Sequence, residues 1–225
     1  MDVDQDLRLA IGWNRLNLKL CGIWPEPTPT EQGSPSYAAL IPCLCVATFI
    51  VIPQSTNLFM LNGDLNEITN NLCLANIPAF NSIVKIIITW YYQEGLKPLV
   101  KCFYDDWRGT KTDKERTAMI SRAKMSRFIS TWCTVLTQTM VTAYLSLRAF
   151  TIYTCDRDQE TQDRLVLYPG YFPYNVRPTL SLVMTNVCQV VAAYCATISY
   201  TCVDAFIAML VLHTCSQFEN LRMRL

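Results

Sequence analysis

Four stretches of this chain carry almost no charge. Residues 32–63, 128–147 and 178–203 contain no Asp, Glu, Lys or Arg, and residues 68–93 contain one, Lys85. A helix crossing the bilayer core needs about 20 consecutive, mostly apolar residues, and each stretch meets that length. A water-soluble bundle would place Lys and Glu along the outer face of each helix, and these stretches do not. The pattern predicts an all-α, polytopic membrane helical bundle with transmembrane helices at 36–60, 68–92, 128–150 and 179–203. Pro42 and Pro53 fall inside the first span and Pro78 in the second, where membrane helices tolerate kinks.

Between the spans the pattern turns amphipathic. In the N-terminal segment, 1–35, Leu9, Trp13, Leu16 and Leu20 recur at helical spacing, predicting a helix that lies against the inner membrane surface. Pro25, Pro27 and Pro29 are expected to end it. Beyond the second span, Leu96, Leu99, Phe103 and Trp107 continue an apolar stripe with Lys97, Lys101 and Arg108 off it. Residues 93–127 therefore read as a helical extension and loop. Thr112 with Glu115 has the form of a capping box opening the next helix. The outer loop, 151–178, contains "YPGYFPYNVRP". That segment is either a rigid, turn-rich cover or a lid over a site between helices. The last segment, 204–225, presents Phe206, Leu210, Phe218, Leu221 and Leu225 on one face and His213, Gln217, Asn220 and Arg224 on another.

Charge gives the orientation. Lys and Arg collect on the cytoplasmic side of membrane proteins. Alternate sides of the four spans carry fourteen and three of them, which places the N-terminus and residue 225 in the cytoplasm, opposite to a G-protein-coupled receptor. At 1.5 Å rise per residue, Asp204 lies roughly 39 Å and His213 roughly 52 Å down the fourth helix, past a hydrocarbon core about 30 Å thick. Both belong to a cytoplasmic extension. The first 35 residues are too mixed for a signal peptide, so the first span acts as its own signal.

Composition narrows the chemistry. Charged residues make up 16% of the chain, below the roughly 25% of soluble domains. The net charge of +1 provides no basic field for nucleic acid. Seven of the eleven cysteines, Cys43, Cys45, Cys73, Cys133, Cys188, Cys195 and Cys202, lie inside apolar spans, where a thiol acts as a small hydrophobe. "CLC" has the wrong spacing for zinc. No Ser-His-Asp, HExxH or glycine-rich phosphate motif is present. His213, with no acid or Cys partner in its segment, reads as a packed helix residue. Neither an enzyme nor a cofactor is expected. Lys85 sits in the run "SIVKIIITW". It either snorkels to the inner interface or faces a polar cavity or bundle partner. Helical side chains lean toward the helix N-terminus, here the outer end, which works against snorkelling.

Several stretches resemble insect odorant receptors. "LKLCGIWP" is similar to that family's approach to its first membrane helix. "LCLANIPAFNSIVKIIITWYYQEGLKPLVKCFYDDWR" resembles its second helix and cytoplasmic extension. "YPGYFPYNVRP" resembles its second outer loop, and "HTCSQFENLRMRL" the cytoplasmic end of its fourth helix. The resemblance implies a seven-helix protein with a cytoplasmic N-terminus in the plasma membrane. It would be a subunit of an odorant-gated cation channel, assembled with a shared co-receptor as a tetramer. The cytoplasmic helix ends would anchor subunits to one another, here through Phe206, Leu210, Phe218 and Leu221. Four of the seven helices are present, so the chain is expected to be truncated before the pore helix.

The family's ligand pocket is implied to lie in the outer half of the bundle. There the second, third and fourth helices carry the i, i+4 pairs Asn76 and Phe80, Met140 and Tyr144, and Met184 and Cys188. Apolar walls with a few polar handles suit a small volatile odorant. Alternatively these pairs only pack helix on helix. Two other functions remain open: a gustatory-type receptor, which shares the inverted layout, and a four-span membrane scaffold.

Overall fold

The structure is a computed structural model. It describes residues 3–26, 37–60, 68–69, 72–109, 111–154 and 165–225. Pro27, Pro29, the first outer loop and the charged part of the second, 155–164, lie outside the described residues. Within them the fold is all-α, without a strand. The helices are α1 (Val3–Leu20), α2 (Leu40–Val46), α3 (Ile52–Met60), α4 (Ile77–Tyr91), α5 (Gln93–Arg108), α6 (Asp113–Thr154) and α7 (Thr179–Arg224). Two helical stretches among the described residues are long and apolar enough to cross a membrane, Tyr37–Phe59 and Thr179–Arg224. Helix α4 is apolar but shorter. Within α6, the uncharged stretch 128–147 is rich in Ser, Thr and Gln, which lowers its hydropathy.

The helices divide between two compact units. The first comprises Met1–Ala39, Ile86–Val135 and Thr201–Leu225; the second comprises Leu40–Lys85 and Leu136–Tyr200.

In the first unit, α1 packs on α5. Its buried face is Leu7, Ala10, Ile11, Asn14 and Leu18, with Asn17 beside it. Leu16 and Leu20, on the stripe expected to lie against the membrane surface, are exposed on another face. Glycine, rather than the prolines, ends α1. Gly22 adopts φ 70°. Its N–H donates to Lys19 O, and the Ile23 N–H to Leu18 O. This is a Schellman cap, and the two apolar residues it joins, Leu18 and Ile23, are both fully buried. Between α4 and α5 the chain turns at Tyr92, so the second membrane helix and its extension are separate elements. Helix α5 buries Gln93, Val100, Phe103 and Trp107. Leu99, expected on that stripe, is exposed.

The capping box forms as expected. The Thr112 N–H donates to Glu115 Oε2 at 2.8 Å, and the Glu115 N–H to Thr112 Oγ1 at 3.4 Å. Glu115 also pairs with Arg224, near the end of α7. The Arg224 guanidinium and the Thr112 hydrogen bonds hold its carboxyl well below the usual range, at about 2. Arg116 pairs with Asp6 of α1, and Arg122 with Glu219 at 3.4 Å.

In the second unit, proline shapes the first span. Pro53 has no N–H for the carbonyl of Phe49, four residues back. The backbone widens into a π-turn at Ala47–Val51 just before it. Another π-turn, Leu72–Asn76, precedes Pro78. The core combines Val46, Ile50, Ala75, Ala79, Leu145, Ala192, Ala193 and Ala196 with Leu167 and Tyr168 of the loop.

Candidate functional site

The second unit contains a cavity of about 340 Å³, within the usual span of small-ligand pockets, roughly 300–1,000 Å³. Helix α7 presents Ala193, Ala196, Thr197 and Tyr200 to it. These positions, i, i+3, i+4 and i+7, make one helical face. Thr137 and Val141 of α6 also share a face. Helix α4 and the π-turn before it add Ala75, Ile77, Pro78, Ala79 and Asn81, Ile50 comes from the first span, and Tyr168 from the loop. The space exists because Ala75, Ala79, Ala193 and Ala196 stand where a Leu or Phe would fill it. Asn81, Thr137, Thr197 and the two tyrosines supply a few polar groups on otherwise apolar walls.

The loop is fastened over this unit. The buried Gln189 side chain works like a piece of backbone. Its Oε1 accepts the Tyr168 N–H at 3.0 Å, and its Nε2 donates to Tyr168 O at 2.9 Å and to Phe49 O at 3.4 Å. The last of these is the carbonyl that Pro53 leaves without its helical donor. Asn186 Oδ1 accepts the Leu167 N–H at 2.9 Å. Arg148 donates to Leu167 O and Val166 O, each at 3.2 Å. Gly170 lies so close to α3 that a Cβ would stand 2.8 Å from Pro53 Cβ, and the Tyr171 N–H donates to Pro53 O at 3.0 Å. Leu165, Val166, Phe172 and Val176 of the loop form an apolar cluster of their own with Leu182 of α7. Of the two readings of this segment, the contacts fit a fixed cover, and its Tyr168 is part of the cavity wall. Burial, with Tyr144 and Tyr194 nearby, raises the Tyr168 phenol above its ordinary 10.0 and keeps it neutral.

The residues singled out from sequence do not converge on this cavity. Asn76 is buried and donates to Ser55 Oγ at 3.0 Å. Tyr144 stacks on Tyr168, ring centroids 5.2 Å apart, and so supports the wall from behind. Phe80, Met140 and Met184 are exposed and Cys188 is half-buried; none of these lines the cavity. The lining uses the neighbouring faces of the same helices. Lys85 is half-buried, its Nζ 3.7 Å from the Tyr200 ring centroid and 3.4 Å from Tyr200 O. Of its two readings, these contacts fit a bundle partner. Phe206 is 2% exposed and meets Trp24 edge to face at 6.1 Å, so it serves the interior of the first unit. Leu210 is half-buried, while Phe218 and Leu221 are exposed.

His213 does have an acidic partner, on another element. Its Nε2 lies 3.0 Å from Asp106 Oδ2, and its ring packs on Phe103 with centroids 4.3 Å apart. Burial lowers its pKa from the ordinary 6.5, and the Asp106 hydrogen bond opposes that only in part. The neutral imidazole donates from Nε2 to the carboxylate.

Gln189, Asn186 and Arg148 were missed by the sequence reading. A trace of them was there: Asn186 and Gln189 are amides at i, i+3 in a span without charge. What could not be read was that they face a loop's backbone.

Comparison with known proteins adds the family. Residues 64–225 match the family described as 7tm odorant receptor. No curated protein and no solved structure matches the chain.

Proposed function

The chain belongs to the 7tm odorant receptor family, and on that premise we propose that it is the odorant-binding part of a receptor subunit working in olfaction. The observation that carries this is the cavity of about 340 Å³, open on one side, with mostly apolar walls and few polar groups. A volatile organic molecule has little polarity to satisfy, and burying its apolar surface provides most of its binding energy. Tyr144 acts through Tyr168, and Asn76 through Ser55, by holding the cavity's surroundings. The match to an odorant family favours this reading over a gustatory-type receptor.

The finer features of the proposal come from charge and from the family resemblance. The chain crosses the plasma membrane four times, with the N-terminus in the cytoplasm. It assembles with a co-receptor as a hetero-oligomeric, odorant-gated cation channel. Its exposed Phe218 and Leu221 meet a neighbouring subunit.

The test is odorant-evoked current from a receptor carrying these residues, co-expressed with the co-receptor. Ala193→Leu and Ala196→Val fill the cavity. They are expected to weaken the response to the best odorant by tenfold or more, on the order of the 1.4 kcal/mol of a modest clash, with surface labelling unchanged. No response above that of co-receptor alone, across a broad panel, would sink the proposal.

A further inference from the structure

Five cavity-lining residues carry polar side chains: Asn81, Thr137, Tyr168, Thr197 and Tyr200. They differ in what holds them. The Thr197 hydroxyl is already engaged: it donates to Ala193 O at 3.0 Å and accepts from Gln138 Nε2 at 3.2 Å. Thr137 has a partner of its own. The Tyr168 ring is stacked on Tyr144 and its backbone is tied to Gln189. Asn81 is exposed. Tyr200 is set apart by Lys85, whose ammonium sits 3.7 Å from its ring centroid and donates to its backbone oxygen.

Two physical consequences follow. An ammonium over an aromatic face withdraws electron density from the ring and makes the phenol O–H a stronger donor. It also puts positive potential at that open end of the cavity. Both favour the negative end of a ligand dipole there. Among the described residues, no protein group hydrogen-bonds the Tyr200 hydroxyl. That hydroxyl is therefore available at the cavity mouth to donate to a ligand's acceptor, and such a hydrogen bond contributes about 1 kcal/mol.

Resting on the cavity reading above, we infer that Tyr200 is the donor by which this cavity selects ligands bearing an acceptor oxygen, such as esters and ketones, over hydrocarbons of equal size. Lys85 acts as a positioning residue, through the Tyr200 ring, and does not touch the ligand. The field it provides explains why a cation is kept in an isoleucine-rich span, where its insertion is unfavourable.

The chain in lipid nanodiscs is titrated with pentyl acetate and with nonane, which have the same number of non-hydrogen atoms, at matched mole fraction in the lipid. Thermal stabilisation is the readout. Wild type binds the ester more tightly than the alkane. Tyr200→Phe weakens the ester by about five- to tenfold, the loss of one hydrogen bond, and leaves nonane unchanged. Retained nonane binding also certifies that the variant is folded. Lys85→Met takes away part of the ester preference, and Lys85→Arg restores it. The inference is overturned if Tyr200→Phe keeps the full ester preference, or if wild type does not distinguish the two probes while binding both. If wild type binds neither, the cavity reading fails, and the inference falls with it.

Discussion

Gln189 illustrates how much can hang on one side chain. It is wholly buried and satisfies both backbone groups of Tyr168 and the carbonyl freed by Pro53. Gln189→Leu keeps the apolar volume and strands those groups. Each stranded buried group costs roughly 1–3 kcal/mol, so the variant is expected to melt well below wild type and to lose ligand stabilisation. Equal melting temperatures for wild type and Gln189→Leu would refute this role. His213 carries a pH dependence. Its folded pKa lies below 6.5 because burial favours the neutral ring. The unfolded chain therefore takes up its proton first, and the stability the neutral ring contributes is present above 6.5 and lost as pH falls below it. Stability of the chain in nanodiscs, followed from pH 7.5 down to about 5, is expected to fall more steeply for wild type than for His213→Gln. Parallel curves would remove His213 as the cause. Neither role was legible in sequence, because the partners of both residues lie far away along the chain.

At the scale of elements, hydropathy and capping chemistry were legible and helix faces less so. Thr112 and Glu115 signalled the start of α6 by spacing alone, since a capping box is local. The end of α1 was equally local but was assigned to the wrong residue. The Cys-Gly-Ile sequence carries the Schellman signal, with Gly22 at φ 70° and apolar Ile23 after it. Gly22→Ala forces a side chain into left-handed backbone, costing about 1 kcal/mol or more. It also puts a methyl 2.6 Å from Ala39 N. The expected result is a clear drop in melting temperature, whereas Gly12→Ala, with open space around it and helical backbone, stabilises slightly. If the two substitutions behave alike, the cap is not what holds this corner. Helix α1 has a second face besides the Leu16 and Leu20 stripe: buried Asn14 and Asn17 make the face that packs inward look polar in the sequence. Likewise Val100, not Leu99, completes the stripe of α5.

For the whole molecule, the proposed topology rests on fourteen cationic residues against three across the alternate sides of the spans. It is tested by an epitope at the N-terminus and a glycosylation sequon placed within 155–164. The epitope is expected to be reached by antibody only after permeabilisation, and the sequon to be glycosylated. An epitope stained on intact cells would reverse the arrangement. The sequence by itself determined that the chain is helical, where its uncharged stretches lie and which family it resembles, because these properties are local or periodic and survive without knowledge of neighbours. The tertiary structure alone decided which face of each helix is inward, that four alanines open a cavity, that Gln189 and Arg148 tie down the loop, and that Lys85 lies on Tyr200. Those outcomes depend on pairings between segments far apart in the chain, and a periodic pattern names the candidates for a face without saying what will be packed against it.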